Sequence, residues 1–202
     1  MRERIYIFVN GILNIPGDAK DWNARAVTFT HLGYPAKAEK VEYFCGPIGR
    51  AFGQNRRARK VATLLDRYKG QFDIVLVGHS NGCDVILDAL KMAGWPEILQ
   101  LHLFSGACEA DFQKNGLNDA CDANKIKRIF VYVAGKDIWL QIAHTIPGKI
   151  LGYGTLGLHG PLNESIAAAL RTRLNKQLSF GHSSWWNWNQ FKRSMGWILN
   201  AV

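Results

Sequence analysis

Short apolar runs recur along the chain, separated by stretches in which apolar residues return every three or four positions. Ile5-Tyr6-Ile7-Phe8-Val9 is continuous and predicts a strand covered on both faces, ending at Asn10-Gly11-Ile12. Ile15-Pro16-Gly17-Asp18 is turn chemistry, with Asp18 placed to cap a helix that runs to about Leu32. Trp22, Ala26, Phe29 and Leu32 fall near helical spacing there; Gly33 stops the helix and Pro35 prevents its resumption. Val41 to Cys45 reads as a second strand, ended by Gly46-Pro47. A helix follows from about Asn55 to Gly70, with Val61, Ala62, Leu64 and Leu65 as its core stripe. Ile74 to Val77 predicts a third strand, followed by a helix from Cys83 to Ala93 that Gly94-Trp95-Pro96 ends. Leu99 to Phe104 is a fourth strand and Ile129 to Ala134 a fifth, with a polar, irregular stretch from Cys108 to Lys127 between them.

Beyond Gly135, Trp139 to Ile150 reads as a helix and Tyr153 to Leu158 as a short sixth strand or a loop. Pro161 to Leu178 contains a helix beginning at Ile166. A final helix spans Trp185 to Leu199, with Trp185, Trp188, Met195 and Leu199 on its stripe. Strands alternating with helices predict an α/β, three-layer α/β/α sandwich: a mostly parallel sheet of about five to six strands with right-handed crossovers. The 202 residues suit one domain spanning positions 1–202, and no gap between strands is long enough for a cap domain. No apolar run approaches the ~20 residues of a transmembrane helix. The apolar run after Met1-Arg2-Glu3-Arg4 is short and no small-residue cleavage site follows it, so it reads as a strand in a cytoplasmic protein.

Between the third strand and its helix stands Gly78-His79-Ser80-Asn81-Gly82. A serine thrust from a strand-to-helix turn occupies a cramped backbone, and its neighbours two positions away approach other chain closely. A β-carbon at Gly78 or Gly82 would collide with the adjacent strand or the helix. The order strand, G-x-S-x-G, helix resembles the nucleophile elbow of the α/β-hydrolase superfamily, and among its members the small lidless serine esterases and lipases. The resemblance implies a minimal α/β-hydrolase fold that lacks two leading strands, with the first strand beside the Ser80 strand. It also implies that Ser80 is the nucleophile.

A serine hydroxyl needs a base, and the base an orienting acid. The superfamily's chain order is Ser, then Asp or Glu, then His, with the working groups at the carboxyl ends of the strands. Asp137, three residues past the fifth strand, resembles the family's acid; Glu109 and Asp111, past the fourth, are its rivals. His79 lies inside the turn and is aimed elsewhere, His31 and His144 lie in helical patterns, and His102 in a strand. His159 and His182 are left. His182, in the loop before the last helix, is preferred as the base, and Ser183 or Ser184 caps that helix. An oxyanion hole needs two backbone amides. Asn81 supplies one. Asn10-Gly11-Ile12 resembles the His-Gly-x turn of lipases, with Ile12 as the second donor and Asn10 a departure from the pattern. Trp139, Leu140, Trp185 and Trp186 adjoin the acid and base, where they line an apolar acyl pocket or pack the core.

The expected activity is hydrolysis of small or lipid-like carboxylic esters through an acyl-enzyme, with no metal and no organic cofactor. The fold also hosts thioesterases, amidases and acyltransferases. Net charge is +9, and the densest cluster is Arg50, Arg56, Arg57, Arg59 and Lys60. It reads as a solvated basic face that allows weak association with anionic surfaces. No zinc-finger spacing, aromatic RNA-binding signature or P-loop points to a specific nucleic acid. A second class of reading follows from the charge: a catalytically silent module of this fold that docks an anionic partner. The four cysteines show no C-x-x-C spacing and are expected as thiols, with Cys83 packed behind the turn and a Cys108–Cys121 bridge open only to an exported protein. Oligomeric state is not legible.

Overall fold

Parallel strands buried on both faces are mostly apolar, and three such strands lie side by side within the sheet. In the computed structural model, which describes residues 2–11, 21–34, 36–43, 53–143 and 154–201, these are β1 (Arg4–Val9), β3 (Asp73–His79) and β4 (Gln100–Phe104). With β2 (Lys37–Val41), β5 (Ile129–Ala134) and β6 (Thr172–Gln177) they make an all-parallel sheet of order β2-β1-β3-β4-β5-β6. β1 lies against β3, with Val9 opposite Gly78, so the end of the first strand abuts the turn that follows the third.

Alternate residues of each strand feed two cores. On one face Ile5, Ile7, Val9 and Leu76 pack with Val61 and Leu65 of α2 (Gln54–Tyr68) and Ile86 and Leu90 of α3 (Asn81–Met92). On the other, Tyr6, Phe8, Val75 and Val77 meet Trp22 and Ala26 of α1 (Trp22–Gly33), and Phe191, Met195 and Ile198 near the C-terminus. Among the described residues no helix is long and apolar enough to cross a membrane.

Several elements differ from the sequence reading. β2 lies earlier than Val41 to Cys45, because it follows the register of β1, Ile5 opposite Lys37 through Val9 opposite Val41; residues 44–52 lie outside the described set. Asp21, whose side chain accepts from Trp22 N, caps α1, and Leu32 is 84% exposed rather than part of its stripe. Asp18 lies outside the described residues. The irregular stretch holds two short helices, α4 (Phe112–Asn115) and α5 (Leu117–Asp122). After β5 come α6 (Ile138–Ala143) and a one-turn α7 (Leu156–His159) where a short strand or loop was expected; residues 144–153 lie outside the described set.

The largest difference is β6. The helix expected over Pro161 to Leu178 is only α8 (Ile166–Arg171), and the chain then runs on as an edge strand. The last helix, α9 (Trp188–Leu199), follows a 3-10 turn over Ser184–Trp186 and is capped by Asn187, which accepts from Gln190 N, rather than by Ser183 or Ser184. Its Trp188 is 76% exposed. In the basic cluster Arg56, Arg59 and Lys60 are exposed, but Arg57 is buried with its guanidinium 5.4 Å above the Tyr43 ring, so that face is not wholly solvated. Cys83, Cys108 and Cys121 are buried, and Cys83 and Cys121 are free thiols, so the Cys108–Cys121 bridge is not formed; Cys45 lies outside the described residues.

Gly82, in the first turn of α3, shows how closely that helix is seated. A β-carbon there would stand 2.6 Å from the Asn10 carbonyl oxygen and closer still to that of Val9. Gly82→Ala must therefore push α3 off the end of β1, at about 3 kcal/mol, the upper part of the usual overpacking range. Gly33→Ala, where nothing lies within 4 Å, serves as the control. Urea unfolding midpoints should fall clearly for the first variant and stay near the parent for the second. Equal midpoints would contradict this packing.

Candidate active site

Ser80 alone connects β3 to α3. Its φ of 57° and ψ of −126° lie outside the regions a residue with a β-carbon prefers, a strain of about 1–3 kcal/mol. The surroundings hold it there. Ser80 N donates to the Phe104 carbonyl at 2.9 Å, and the Ser80 carbonyl accepts from Cys83 N and Ala107 N, each at 3.1 Å. Both flanking glycines are required. A β-carbon at Gly78 would meet Cys83 N at 3.0 Å and Ile86 Cδ1 at 2.9 Å, while Gly82 faces the β1 carbonyls. The Asn81 amide opens α3, where a backbone N–H has no acceptor within the helix and sits at the positive end of the helix dipole. The Asn81 carboxamide is buried, and neither of its polar atoms has a partner among the described residues.

The turn after β1 presses on the same serine. A β-carbon on Gly11 would lie 2.9 Å from Ser80 Cβ and 3.3 Å from Ser80 Oγ, so only a glycine backbone approaches so closely. Asn10 anchors that turn. Its Oδ1 accepts from Gly11 N at 3.1 Å and from Trp22 Nε1, its Nδ2 donates to Asp21 Oδ2 at 2.7 Å, and its carbonyl accepts from the Tyr43 hydroxyl. The departure from the lipase pattern at this position is thus a buried amide bonded through both its oxygen and its nitrogen. Ile12 lies outside the described residues.

Asp137 follows the Gly135-Lys136 turn and is fully buried. Its Oδ1 accepts from Leu140 N at 3.0 Å, and its Oδ2 accepts from His182 Nδ1 at 2.7 Å. A carboxylate only accepts, so Nδ1 carries a proton, and in the neutral imidazole Nε2 then presents a lone pair. The His182 side chain is 14% exposed. Its loop is laid against the acid turn by the bond from Lys136 N to the Phe180 carbonyl at 2.8 Å. Among the described residues the Ser80 hydroxyl is not hydrogen-bonded to His182. The residue before Ser80 does contact His182: His79 Nε2 lies 2.9 Å from the His182 carbonyl oxygen, with ring centroids 4.9 Å apart. Burial, and then the neighbouring His182, push the His79 pKa down to about 3, so this ring is neutral.

The rivals are engaged elsewhere. Asp111 caps α4, accepting from Gln113 N at 2.9 Å and Lys114 N at 3.2 Å, and takes the Asn163 amide at 2.9 Å. These donors, the Asn163 amide first, hold its carboxyl below the usual range. Glu109 accepts from Asp111 N at 3.0 Å. His159 is exposed at the end of α7. Of the four pocket candidates, Trp139 is 67% exposed while Leu140 is buried beside Asp137. Trp186 stacks on Trp22 at 4.0 Å. Trp185 belongs to the core: it packs on Phe104, Tyr132 and Phe180 and donates to Ser105 Oγ at 3.0 Å. Asn10 and His79 are the residues the sequence reading passed over. For Asn10 the one available signal was a polar amide at the end of an otherwise apolar strand.

No protein-family model matches the chain, and no curated protein matches it in sequence. Solved structures do match. Est1E from Butyrivibrio proteoclasticus is 13% identical, with 98% of this chain and 88% of that one covered at a TM-score of 0.55. Zea mays acyl-protein thioesterase 2 is 12% identical, with 98% and 94% covered at 0.54. A hormone-sensitive lipase from a metagenome library is 15% identical, with 98% and 75% covered at 0.54. At such identities the likeness is one of fold, and the chain has the α/β-hydrolase fold.

Proposed function

With that fold as premise, we propose that the protein is a serine hydrolase that cleaves carboxylic esters through an acyl-enzyme. The observation that carries the reading is the buried Asp137 carboxylate 2.7 Å from His182 Nδ1, tied at the His182 carbonyl to the residue before a serine held at φ 57°. Ser80 Oγ attacks the acyl carbon as His182 Nε2 takes its proton, and Asp137 stabilises the imidazolium that forms. The Asn81 amide, with that of Ile12, receives the oxyanion. His182 returns the proton to the departing alkoxide. A water molecule, deprotonated by the same imidazole, then releases the acid and regenerates Ser80. Apo geometry in which serine and base are not yet bonded is compatible with this role, since such contacts often tighten only with substrate. Trp139, Leu140 and Trp186 flank the acyl group. The same machinery would open a thioester or an amide, and neither metal nor organic cofactor enters it.

A fluorophosphonate probe tests this reading. It should label the folded chain stoichiometrically, with the adduct on Ser80 by peptide mass spectrometry. A folded chain that stays unlabelled would overturn the hydrolase assignment and leave the anion-docking module in its place.

A further inference from the structure

His79 performs no step of the proposed chemistry, yet its ring joins both halves of the site. A carbonyl only accepts, so the 2.9 Å contact with the His182 oxygen requires the proton on His79 Nε2. On one side the bond ends on the backbone of the base. On the other, His79 is covalently joined to Ser80. The ring cannot swing away: it is 7% exposed and lies edge-on to Trp22 at 6.1 Å and to Trp186 at 6.2 Å, two rings that themselves stack at 4.0 Å.

The base-bearing loop has further ties at its ends. The Phe180 carbonyl accepts from Lys136 N, and the Trp186 carbonyl from Arg25 Nη2 at 2.7 Å. Between them the bonds stay within the loop and the turn after it: Gly181 N donates to Ser184 Oγ at 2.9 Å, Ser184 N to the Gly181 carbonyl at 3.1 Å, Trp186 N to the Ser183 carbonyl at 3.1 Å and Asn187 N to the Ser184 carbonyl at 3.4 Å. At His182 itself, Asp137 holds the ring at one nitrogen, a single point about which ring and backbone can pivot. The bond at the carbonyl removes that pivot.

The geometry points to a positioning role for His79, one that rests on the serine-hydrolase reading: its Nε2–H fastens the His182 backbone to the nucleophile's own strand, so that base and serine move as one body. A misplacement of about 1 Å between reacting groups costs on the order of 10² in rate, which is why such a tie matters. The neutral state of the ring suits the task, because no like charge then stands beside His182 when it becomes an imidazolium.

Two substitutions in the full chain separate this role from simple packing. His79→Phe keeps an aromatic ring without the donor, and His79→Gln places an amide nitrogen near the Nε2 position. With p-nitrophenyl butyrate, His79→Phe should lose about 10- to 100-fold in kcat with KM nearly unchanged, and His79→Gln should recover most of it. Circular dichroism and thermal melting confirm that the variants are folded. A folded His79→Phe with the parent's kcat overturns the role, and so does a folded His79→Gln as impaired as His79→Phe. Should His79→Phe fail to fold, the comparison becomes His79→Gln against His79→Asn, whose shorter amide does not reach the carbonyl; equal kcat in that pair also overturns it. An unmutated chain inert to fluorophosphonate overturns the hydrolase reading itself. A reactive chain indifferent at His79 overturns only the positioning role.

Discussion

Ser80→Ala should abolish turnover of p-nitrophenyl butyrate while leaving the urea unfolding midpoint nearly unchanged. The two halves of this expectation have separate grounds. For the rate, the hydroxyl is the only protein group in the proposed mechanism that forms a covalent bond to the acyl carbon, and loss of such a nucleophile in a comparable triad costs about 10⁶ in kcat. For stability, the hydroxyl is bonded to nothing among the described residues, so its removal strands no partner. Alanine keeps the β-carbon that packs on Gly11 and bears the same backbone strain at φ 57° as serine. The Ser80 amide and carbonyl, which hold the turn to Phe104, Cys83 and Ala107, are untouched. The shift should stay within about 0.5 kcal/mol, as for substitutions that disturb no packing or hydrogen bond. A folded variant with turnover near the parent's would remove Ser80 from the mechanism.

What the sequence disclosed follows how each element is buried. β1, β3 and β5 are covered on both faces, and Ile129 to Ala134 was delimited to the residue. β6 has neighbours on one edge only and reads Thr-Arg-Leu-Asn-Lys-Gln, half-buried at best, so it carries neither a continuous apolar run nor a clean alternation. The helical signal of Ile166 to Leu170 therefore ran on into it. Edge β2 was displaced for the same reason, since a strand with partly exposed residues is fixed by register with its neighbour rather than by its own pattern. In the site, the turn at Ser80 was legible because close approach of chain to chain admits only glycine, and that leaves a mark in the sequence. His79 left none. Its partner is a backbone carbonyl 103 positions away, and any residue at that position offers a carbonyl. Asp137 and His182 could be nominated only by chain order and position at the strand ends, and Ile12 by analogy with the lipase turn.

Asp137→Asn should lower kcat by about 10⁴, the loss seen when a triad acid is neutralised, whereas Asp111→Asn and Glu109→Gln should change it little. The carboxylate accepts at both oxygens, from Leu140 N and from His182 Nδ1. Asparagine keeps the volume and can still accept from Leu140 with its oxygen. It then turns an N–H toward His182, which must give up its Nδ1 proton to accept that bond. The proton moves to Nε2, and the lone pair that would take the Ser80 proton is gone. The fold should survive, because the substitution leaves no unpaired charge in the interior. At Asp111 the carboxylate instead caps α4 and holds Asn163; asparagine caps a helix about as well, so the change should appear as a small loss of stability through the Asn163 bond rather than in rate. The same contrast applies to the base: His182→Ala should remove turnover, and His159→Ala, on the exposed end of α7, should leave it near the parent's. Rates measured on all five variants under one saturating substrate concentration decide the matter. A collapse at Asp111 or Glu109 with Asp137→Asn active would move the acid back to the end of β4. A collapse at His159 with His182→Ala active would hand the base to α7 while leaving Ser80 in place.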